Sequence, residues 1–161
     1  MKILVIGTRG IPNIQGGVET HCQELYPRLV KLGCEVILLT RSCYVGKQKE
    51  YTYQGVKVKV IYAPRKKSIE AIIHTLIGVL IAKKLKPDII HIHSIGPALF
   101  TPIFKLLGFK IIFTHHGPDY NRAKWGRLAK TVLKLGEYLG VKYSDKVIAI
   151  STVIENLIKE K

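Results

Sequence analysis

Gly7-Thr8-Arg9-Gly10-Ile11-Pro12-Asn13-Ile14-Gln15-Gly16-Gly17-Val18-Glu19-Thr20 decides the reading of this chain. It follows an apolar run, Ile3-Leu4-Val5-Ile6, and precedes a helical pattern. A glycine-rich turn between a buried strand and a helix is where an α/β fold can hold a phosphate. Glycine lets the backbone approach closely, and the helix N-terminus offers unpaired N–H groups and a partial positive charge. The spacing excludes two familiar motifs. Gly7 and Gly10 are followed by a long excursion to a second pair, Gly16 and Gly17, so this is neither G-x-G-x-x-G nor a P-loop with its Gly-Lys-Ser/Thr. It is a longer loop that can close over a ligand.

Outward from this turn the chain reads as repeated strand–helix units. A helix is expected over 18–32, stopped by Gly33, and a second strand over 35–39. Residues 41–55 are polar, with Lys47, Lys49 and Glu50, and read as loop. Residues 56–62 alternate Val56, Val58 and Val60 with Lys57 and Lys59, a strand with one wet face at or near a sheet edge. Helices follow over 68–84, closed by Lys86-Pro87, over 97–107, over 121–138, and from Thr152 onward. Strands are expected over 88–93, 110–114 and 146–150. Alternating strands and helices predict an α/β, Rossmann-like, doubly wound parallel sheet in the order 3-2-1-4-5-6, with helices on both faces. Ligands of such sheets bind beyond the carboxyl ends of the strands near the switch point. The loops 7–19, 93–96 and 115–119 therefore form the candidate site.

The 161 residues suit a single domain, 1–161, with no internal repeat and no low-complexity stretch. The balance of 26 basic against 11 acidic side chains, a net charge of +15, favours an anionic partner: nucleic acid, acidic lipid or a phosphorylated substrate. Nucleic acid is the weakest of these, because no recognition motif or aromatic–basic stripe accompanies the lysines. Cys22, Cys34 and Cys43 lack zinc-ligand spacing and read as thiols of a reducing compartment. The first residues fit a strand better than a secretory signal. The longest apolar segment, 69–82, contains Glu70 and His74 and is short of the about 20 residues that span a bilayer.

Five of the six histidines fall into three groups: His21, His91 with His93, and His115 with His116. His91 and His93 share one face of their strand. Two strand histidines without a third ligand do not make a zinc site, and no metal is expected. For His93 and the His115-His116 pair two readings stand: contact with a sugar hydroxyl or phosphate, or a satisfied structural histidine. Asp119 and Glu19 are the acidic candidates nearby, and either can instead cap a helix.

The segment 121–140 is amphipathic. Trp125, Leu128, Val132, Leu135 and Leu139 recur at three- and four-residue steps, and the stripe is expected to pack on the sheet. Lys124, Arg127, Lys130 and Lys134 gather on a separate arc, available to anionic lipid or phosphate.

Taken together, Gly7-Thr8-Arg9-Gly10-Ile11-Pro12, Gly16-Gly17-Val18-Glu19-Thr20, His91-Ile92-His93 and Thr114-His115-His116-Gly117 resemble the N-terminal domain of a retaining, two-domain (GT-B) family-four glycosyltransferase. The stretches Arg122–Lys130 and Lys142–Ser151 are similar to its rhamnosyltransferase-like branch, whose members build cell-surface polysaccharides. The resemblance implies transfer of a hexose, rhamnose-like or other, from a nucleotide sugar to a glycan or lipid-linked acceptor. It implies no cofactor besides the nucleotide-diphosphate sugar substrate. It assigns Gly16 and Gly17 to the donor diphosphate and His116 to a donor-sugar hydroxyl near the reacting carbon, as catalytic residue. Glu19, His93, His115 and Asp119 fall to acceptor or sugar contact. It further implies a cytoplasmic protein, peripheral on the inner face of the plasma membrane. Family members continue into a second, nucleotide-sugar domain that this sequence does not contain, so the chain alone is expected to be inactive. The alternative is a non-catalytic α/β module that binds an anionic ligand or a partner chain.

Overall fold

Near-continuous burial along the first strands sets the architecture. In a computed structural model describing residues 1–46, 48–66 and 69–159, β1 (Lys2–Ile6) and β2 (Glu35–Arg41) are covered on both faces, as their apolar runs require. They join β3 (Glu50–Tyr53), β4 (Val56–Ile61), β5 (Ile89–His93), β6 (Lys110–His115) and β7 (Lys146–Ala149) in one sheet ordered β3-β4-β2-β1-β5-β6-β7. Six of these strands are parallel and run in the predicted order.

The sheet differs from expectation in β3, which lies in a segment read as loop and pairs antiparallel with β4. Gln54 (φ 45°) and Gly55 (φ 84°) form a two-residue hairpin turn whose left-handed conformations suit the strand twist. Tyr51 and Tyr53 pack inward, and the Tyr51 hydroxyl donates to the Ile11 carbonyl. β4 is thus one strand in from the edge. Its outward Lys57 and Lys59 pair with Glu35 and Glu50 at 2.8 and 2.6 Å.

Each face has its own core. On one side α1 (Gly17–Lys31) lays Cys22 and Tyr26 over Ile3, Val5, Val36, Leu38, Val56 and Val58. On the other, α2 (Glu70–Leu85), α3 (Ile95–Ala98), α4 (Thr101–Leu106) and α5 (Arg127–Tyr143) cover Leu4, Ile6, Ile90, Ile92, Ile111 and Phe113. The helix expected over 97–107 is two short helices. Pro102 has no N–H to continue the helical ladder to the Ala98 carbonyl, which accepts from Thr101 Oγ1 at 2.7 Å instead, and it stands in the first turn of α4. The predicted helix start at Ser68 and the loop residue Lys47 lie outside the described residues, as does Lys161.

The long C-terminal helix corrects the sequence reading twice. It begins at Arg127 after a 3₁₀ turn at Asp119–Asn121, so Trp125 precedes it. The large apolar stripe does not pack on the sheet: Leu128 is 80% and Leu135 47% exposed. The buried face holds Gly136, Glu137 and Gly140, with Leu133 and Val141 beside them. A Cβ on Gly136 would stand 2.1 Å from the Ile95 carbonyl oxygen, and one on Gly140 2.8 Å from Ala98 Cβ. Close approach of α5 to α3 therefore selects small residues, and the leucines turn outward. α6 (Thr152–Lys159) follows β7 and buries Ile154.

Candidate functional site

The turn after β1 is held by one buried carboxylate. Glu19, in the first turn of α1, accepts from the Arg9 backbone N–H at 2.9 Å and from the Arg9 guanidinium at 2.9 and 3.2 Å. Thr8 Oγ1 lies 3.4 Å away, and Arg9 also donates to the Gln15 carbonyl at 2.8 Å. Burial pushes the Glu19 pKa up, but the hydrogen bonds and charge of Arg9 outweigh it, so the carboxyl sits below its ordinary range. Glu19 is therefore an ionised clasp closing the loop 7–16 on itself, 4% exposed, with its oxygens committed to that loop.

Three glycines in this loop are required by backbone and space, among them Gly10 (φ 148°), whose Cβ would stand 2.2 Å from Thr40 Oγ1. A Cβ on Gly7 (φ 110°) would meet the His93 carbonyl oxygen at 2.1 Å, and one on Gly16 (φ 153°) would meet Glu19 and Arg9 at 2.1 and 2.2 Å. Gly17, in contrast, faces open space. No side chain caps α1 at Gly16. Gly17 is exposed at the start of that helix, whose first turn carries the positive end of the helix dipole, with the Glu19–Arg9 pair against Gly16.

The histidines gather beside this turn. His91 and His93 extend from β5 on the α1 side, where their rings lie 4.3 Å apart. His93 Nδ1 is 2.9 Å from His116 Nε2, and the His21 ring meets that of His116 edge-on at 5.1 Å. The buried Tyr26 hydroxyl sits between His91 Nδ1, at 2.9 Å, and His93 Nε2. Desolvation drives these imidazoles toward the neutral form, helped by the mutual repulsion their protonation would bring. His91 falls to about 3, His93 well below its ordinary value, and the half-buried His116 to about 4. Among the described residues no three His, Cys, Asp or Glu groups converge to hold a metal ion.

The remaining candidates are dispersed. His115 points to the opposite face from His116, fully buried, 2.7 Å from Glu137 on α5. Its Nδ1 accepts from the Gly117 N–H at 3.0 Å, so its proton resides on Nε2, which donates to Glu137. It anchors α5 and the turn at Gly117, away from the surface. Asp119 lies in the 3₁₀ turn and pairs with Arg122 at 2.8 Å. Lys124, Arg127 and Lys134 are exposed and Lys130 partly so; Lys124 lies over the Trp125 ring and Lys134 over Tyr120. His116, Gly16, Gly17, Glu19 and His93 are brought together, whereas His115, Asp119 and the basic residues stand apart. Tyr26 escaped the sequence reading, because a tyrosine at an apolar helix position carries no polar signal until the helix is seen to cross β5.

Comparison with known proteins bears on the family and the fold. The chain is 28% identical over 125 residues to a phosphatidylinositol N-acetylglucosaminyltransferase subunit from Arabidopsis thaliana, an alignment covering 72% of this chain and 27% of that protein. Its fold resembles sucrose-phosphate synthase from Thermosynechococcus elongatus, with a TM-score of 0.77 and 18% identity, covering 99% of this chain and 44% of that one. UDP-GlcNAc 2-epimerase from Methanocaldococcus jannaschii is a more distant likeness, with a TM-score of 0.58 and 12% identity, covering 99% and 42%. The chain thus spans less than half the length of these relatives. The profile of Glycosyltransferase Family 4 matches residues 15–161, and the chain belongs to that family.

Proposed function

We propose that this domain is the acceptor-side half of a transferase that moves a hexosyl group, rhamnose-like or other, from a nucleotide-diphosphate sugar to a glycan or lipid-linked acceptor in cell-surface polysaccharide synthesis. The observation that carries the reading is the apposition of the uncapped α1 N-terminus and His116, joined through His21 at 5.1 Å. A diphosphate at Gly16 and Gly17 meets backbone N–H groups and a helix dipole, which stabilise charge developing on a leaving group without bound metal. His116, neutral at physiological pH, offers a sugar hydroxyl a hydrogen bond and no charge. Glu19 and His93 act from behind, Glu19 by shaping the loop and His93 by holding His116. Complementary contacts to the nucleotide belong to a second domain in this reading, so the isolated 161 residues turn over no substrate at a useful rate.

The lipid side of the proposal rests on α5. Its exposed Leu128, Leu135 and Tyr138 adjoin the basic arc of Arg127, Lys134 and Lys142, a combination suited to the face of an anionic bilayer. The name of the plant relative couples phosphatidylinositol with glycosyl transfer, which supports a lipid-linked substrate. Among the described residues no helix is long and apolar enough to cross a membrane. In this reading α5 rests on the inner face of the plasma membrane as a peripheral contact.

The test is titration of the ¹⁵N-labelled chain with UDP-, TDP- and GDP-sugars, followed by amide and imidazole resonances. Perturbation centred on Gly16, Gly17 and His116, lost in His116→Ala, is expected. Binding elsewhere, or none with any donor while anions still bind, overturns the reading in favour of a non-catalytic module. Robust turnover by the isolated chain overturns the need for a second domain.

A further inference from the structure

An unbroken line of hydrogen bonds runs from the interior of the sheet to the candidate site. Thr114 Oγ1 lies 2.7 Å from His91 Nε2, and His91 Nδ1 lies 2.9 Å from the Tyr26 hydroxyl. That hydroxyl meets His93 Nε2, and His93 Nδ1 lies 2.9 Å from His116 Nε2. Thr114, Tyr26 and His93 are fully buried and His91 is 4% exposed, so no solvent relaxes the chain along its length. The only nitrogen it leaves over is His116 Nδ1, which has no hydrogen-bond partner among the described residues and lies at the half-buried end.

Proton counting restricts this line to two states. A neutral imidazole carries one donor and one acceptor nitrogen, and the Tyr26 hydroxyl has one proton. Tyr26 has no third hydrogen-bond partner among the described residues, so it donates to one imidazole and accepts from the other. If it donates to His93 Nε2, then His93 carries its proton on Nδ1 and donates to His116 Nε2, leaving the His116 proton on Nδ1. His91 then donates from Nδ1 to Tyr26 and accepts from Thr114. In the reverse state Tyr26 donates to His91 Nδ1, and His91, His93 and His116 all carry the proton on Nε2. Both states hold the same number of protons. Mixed states place two donors or two lone pairs face to face in a buried site, which costs the full desolvation of the unmatched groups.

We propose that Thr114, His91 and Tyr26 are positioning residues that act through His93 to set the tautomer of His116, and that the three imidazoles switch together. One state presents a donor at His116 Nδ1 and the other an acceptor. A hydroxyl ligand matches either state, whereas an acceptor-only phosphate or pyrophosphate oxygen selects the state with protons on Nδ1. Burial keeps protonated intermediates scarce, since the two inner rings strongly resist charging. The significance for ligand choice rests on the proposed role of His116; the tautomer coupling itself does not.

The experiment reads ring tautomers directly, from long-range ¹H–¹⁵N imidazole correlations of the ligand-free chain at neutral pH. His91, His93 and His116 are expected to show one shared tautomer, or one shared ratio of the two. Tyr26→Phe, which keeps the ring volume, should uncouple His91 from the other two and shift the ratio at His116. Thr114→Val should shift that ratio from a site that does not touch His116, and Thr114→Ser should restore it. A purely structural role would lower stability in these variants and leave the tautomer of His116 unmoved. Opposite tautomers at His91 and His93 in the unmutated chain, or an unchanged His116 in folded Tyr26→Phe and Thr114→Val, would overturn the proposal. Should both variants fail to fold, the pattern in the unmutated chain decides alone. Because no sugar or nucleotide is added, failure here is separate from failure of the transferase reading.

Discussion

Acidification should unfold this domain through histidines that the folded state cannot protonate. His74 on α2 is fully buried, its ring nitrogens without a well-formed hydrogen bond among the described residues and only weakly aided by the Leu39 and Thr40 backbone, and His91 is nearly as buried within its hydrogen-bonded line. Desolvation is the main cause that lowers both from 6.5 to about 3, with nearby positive charge adding to it: Arg41 for His74, protonated His21 and His116 for His91. Above pH 6.5 both folded and unfolded rings are neutral and the difference has no effect. Below it the unfolded chain takes up protons that the folded chain refuses, so stability falls with pH until the folded value is reached near 3. pH 5 lies about 1.5 units below the unfolded ring's pKa, which at about 1.36 kcal/mol per unit is roughly 2 kcal/mol per histidine. The pair therefore removes about 4 kcal/mol, a large part of an ordinary domain's stability of about 5–15 kcal/mol. Urea unfolding followed by the fluorescence of the single tryptophan, Trp125, at pH 7.5, 6 and 5 measures it. About 1 M salt keeps the net charge of +15 from contributing, since the screening length is then about 3 Å. His74→Leu should retain the fold and lose about 2 kcal/mol of the effect at pH 5, a minority share, because His93 and His116 resist protonation as His91 does. A free energy that stays flat from pH 7.5 to 5, or an undiminished slope in His74→Leu, would refute the reasoning.

The packing and the surface set further outcomes. Gly136→Ala places a methyl group 2.1 Å from the Ile95 carbonyl oxygen and should cost about 1–3 kcal/mol in urea midpoint terms. Gly96→Ala, whose methyl would meet Leu133 at an ordinary 3.7 Å, should be neutral or stabilising. Glu70→Leu strips the partner from Arg41, which is 7% exposed and paired at 2.9 Å, and should cost about 3–5 kcal/mol by thermal and chemical unfolding; Tyr44 loses its acceptor in the same variant. The chain should co-sediment with phosphatidylserine vesicles, not with phosphatidylcholine alone and not with duplex DNA. Arg127→Glu with Lys134→Glu should weaken that binding at least thirtyfold, from roughly 1 kcal/mol per basic group near the surface.

Most of the sheet was legible because parallel strands covered on both faces must be apolar throughout, and Ile3–Ile6, Val36–Leu39 and Ile111–Phe113 are. β3 was hidden by its charged neighbours, although Tyr51 and Tyr53 alternate with Glu50 and Thr52 ahead of the Gln54-Gly55 turn. α5 misled for a different reason. Hydrophobic periodicity follows large side chains, whereas its buried face is chosen by how near α3 comes, and Gly136 and Gly140 read as helix weakeners in sequence. The convergence of the loops after β1, β5 and β6 at the strand ends followed from topology alone. The separate fates of His115 and His116 were also within reach, since adjacent strand residues point to opposite faces and Phe113 already marks one of them as core. Tyr26 needed the register of helix on sheet, which no single-chain pattern contains.

The polar interior of this domain explains why its candidate site can be both buried and specific. The α1 side of the sheet is apolar over β1, β2 and β4, and becomes imidazole and hydroxyl over β5 and β6. Tyr26 belongs to both halves: its ring packs in the apolar cluster and its hydroxyl joins His91 to His93. An unpaired polar group there would cost roughly 1–3 kcal/mol, so the network holds only if every member is matched. Matching consumes the polar atoms of Thr114, His91, Tyr26 and His93, and Arg9 consumes those of Glu19. What remains beside this network is His116 Nδ1, the His21 ring and the first turn of α1. These groups are few and rigidly held, and they differ in kind: one switchable imidazole nitrogen beside a fixed set of donors. In the proposed reading, that pair receives a ligand carrying a hydroxyl-bearing ring next to an anionic group, such as a sugar diphosphate. The same logic makes loss of the Tyr26 hydroxyl informative. It keeps the ring volume at Tyr26 while uncoupling His93 and His116 from His91 and Thr114, so a change in ligand preference that follows is electrostatic in origin.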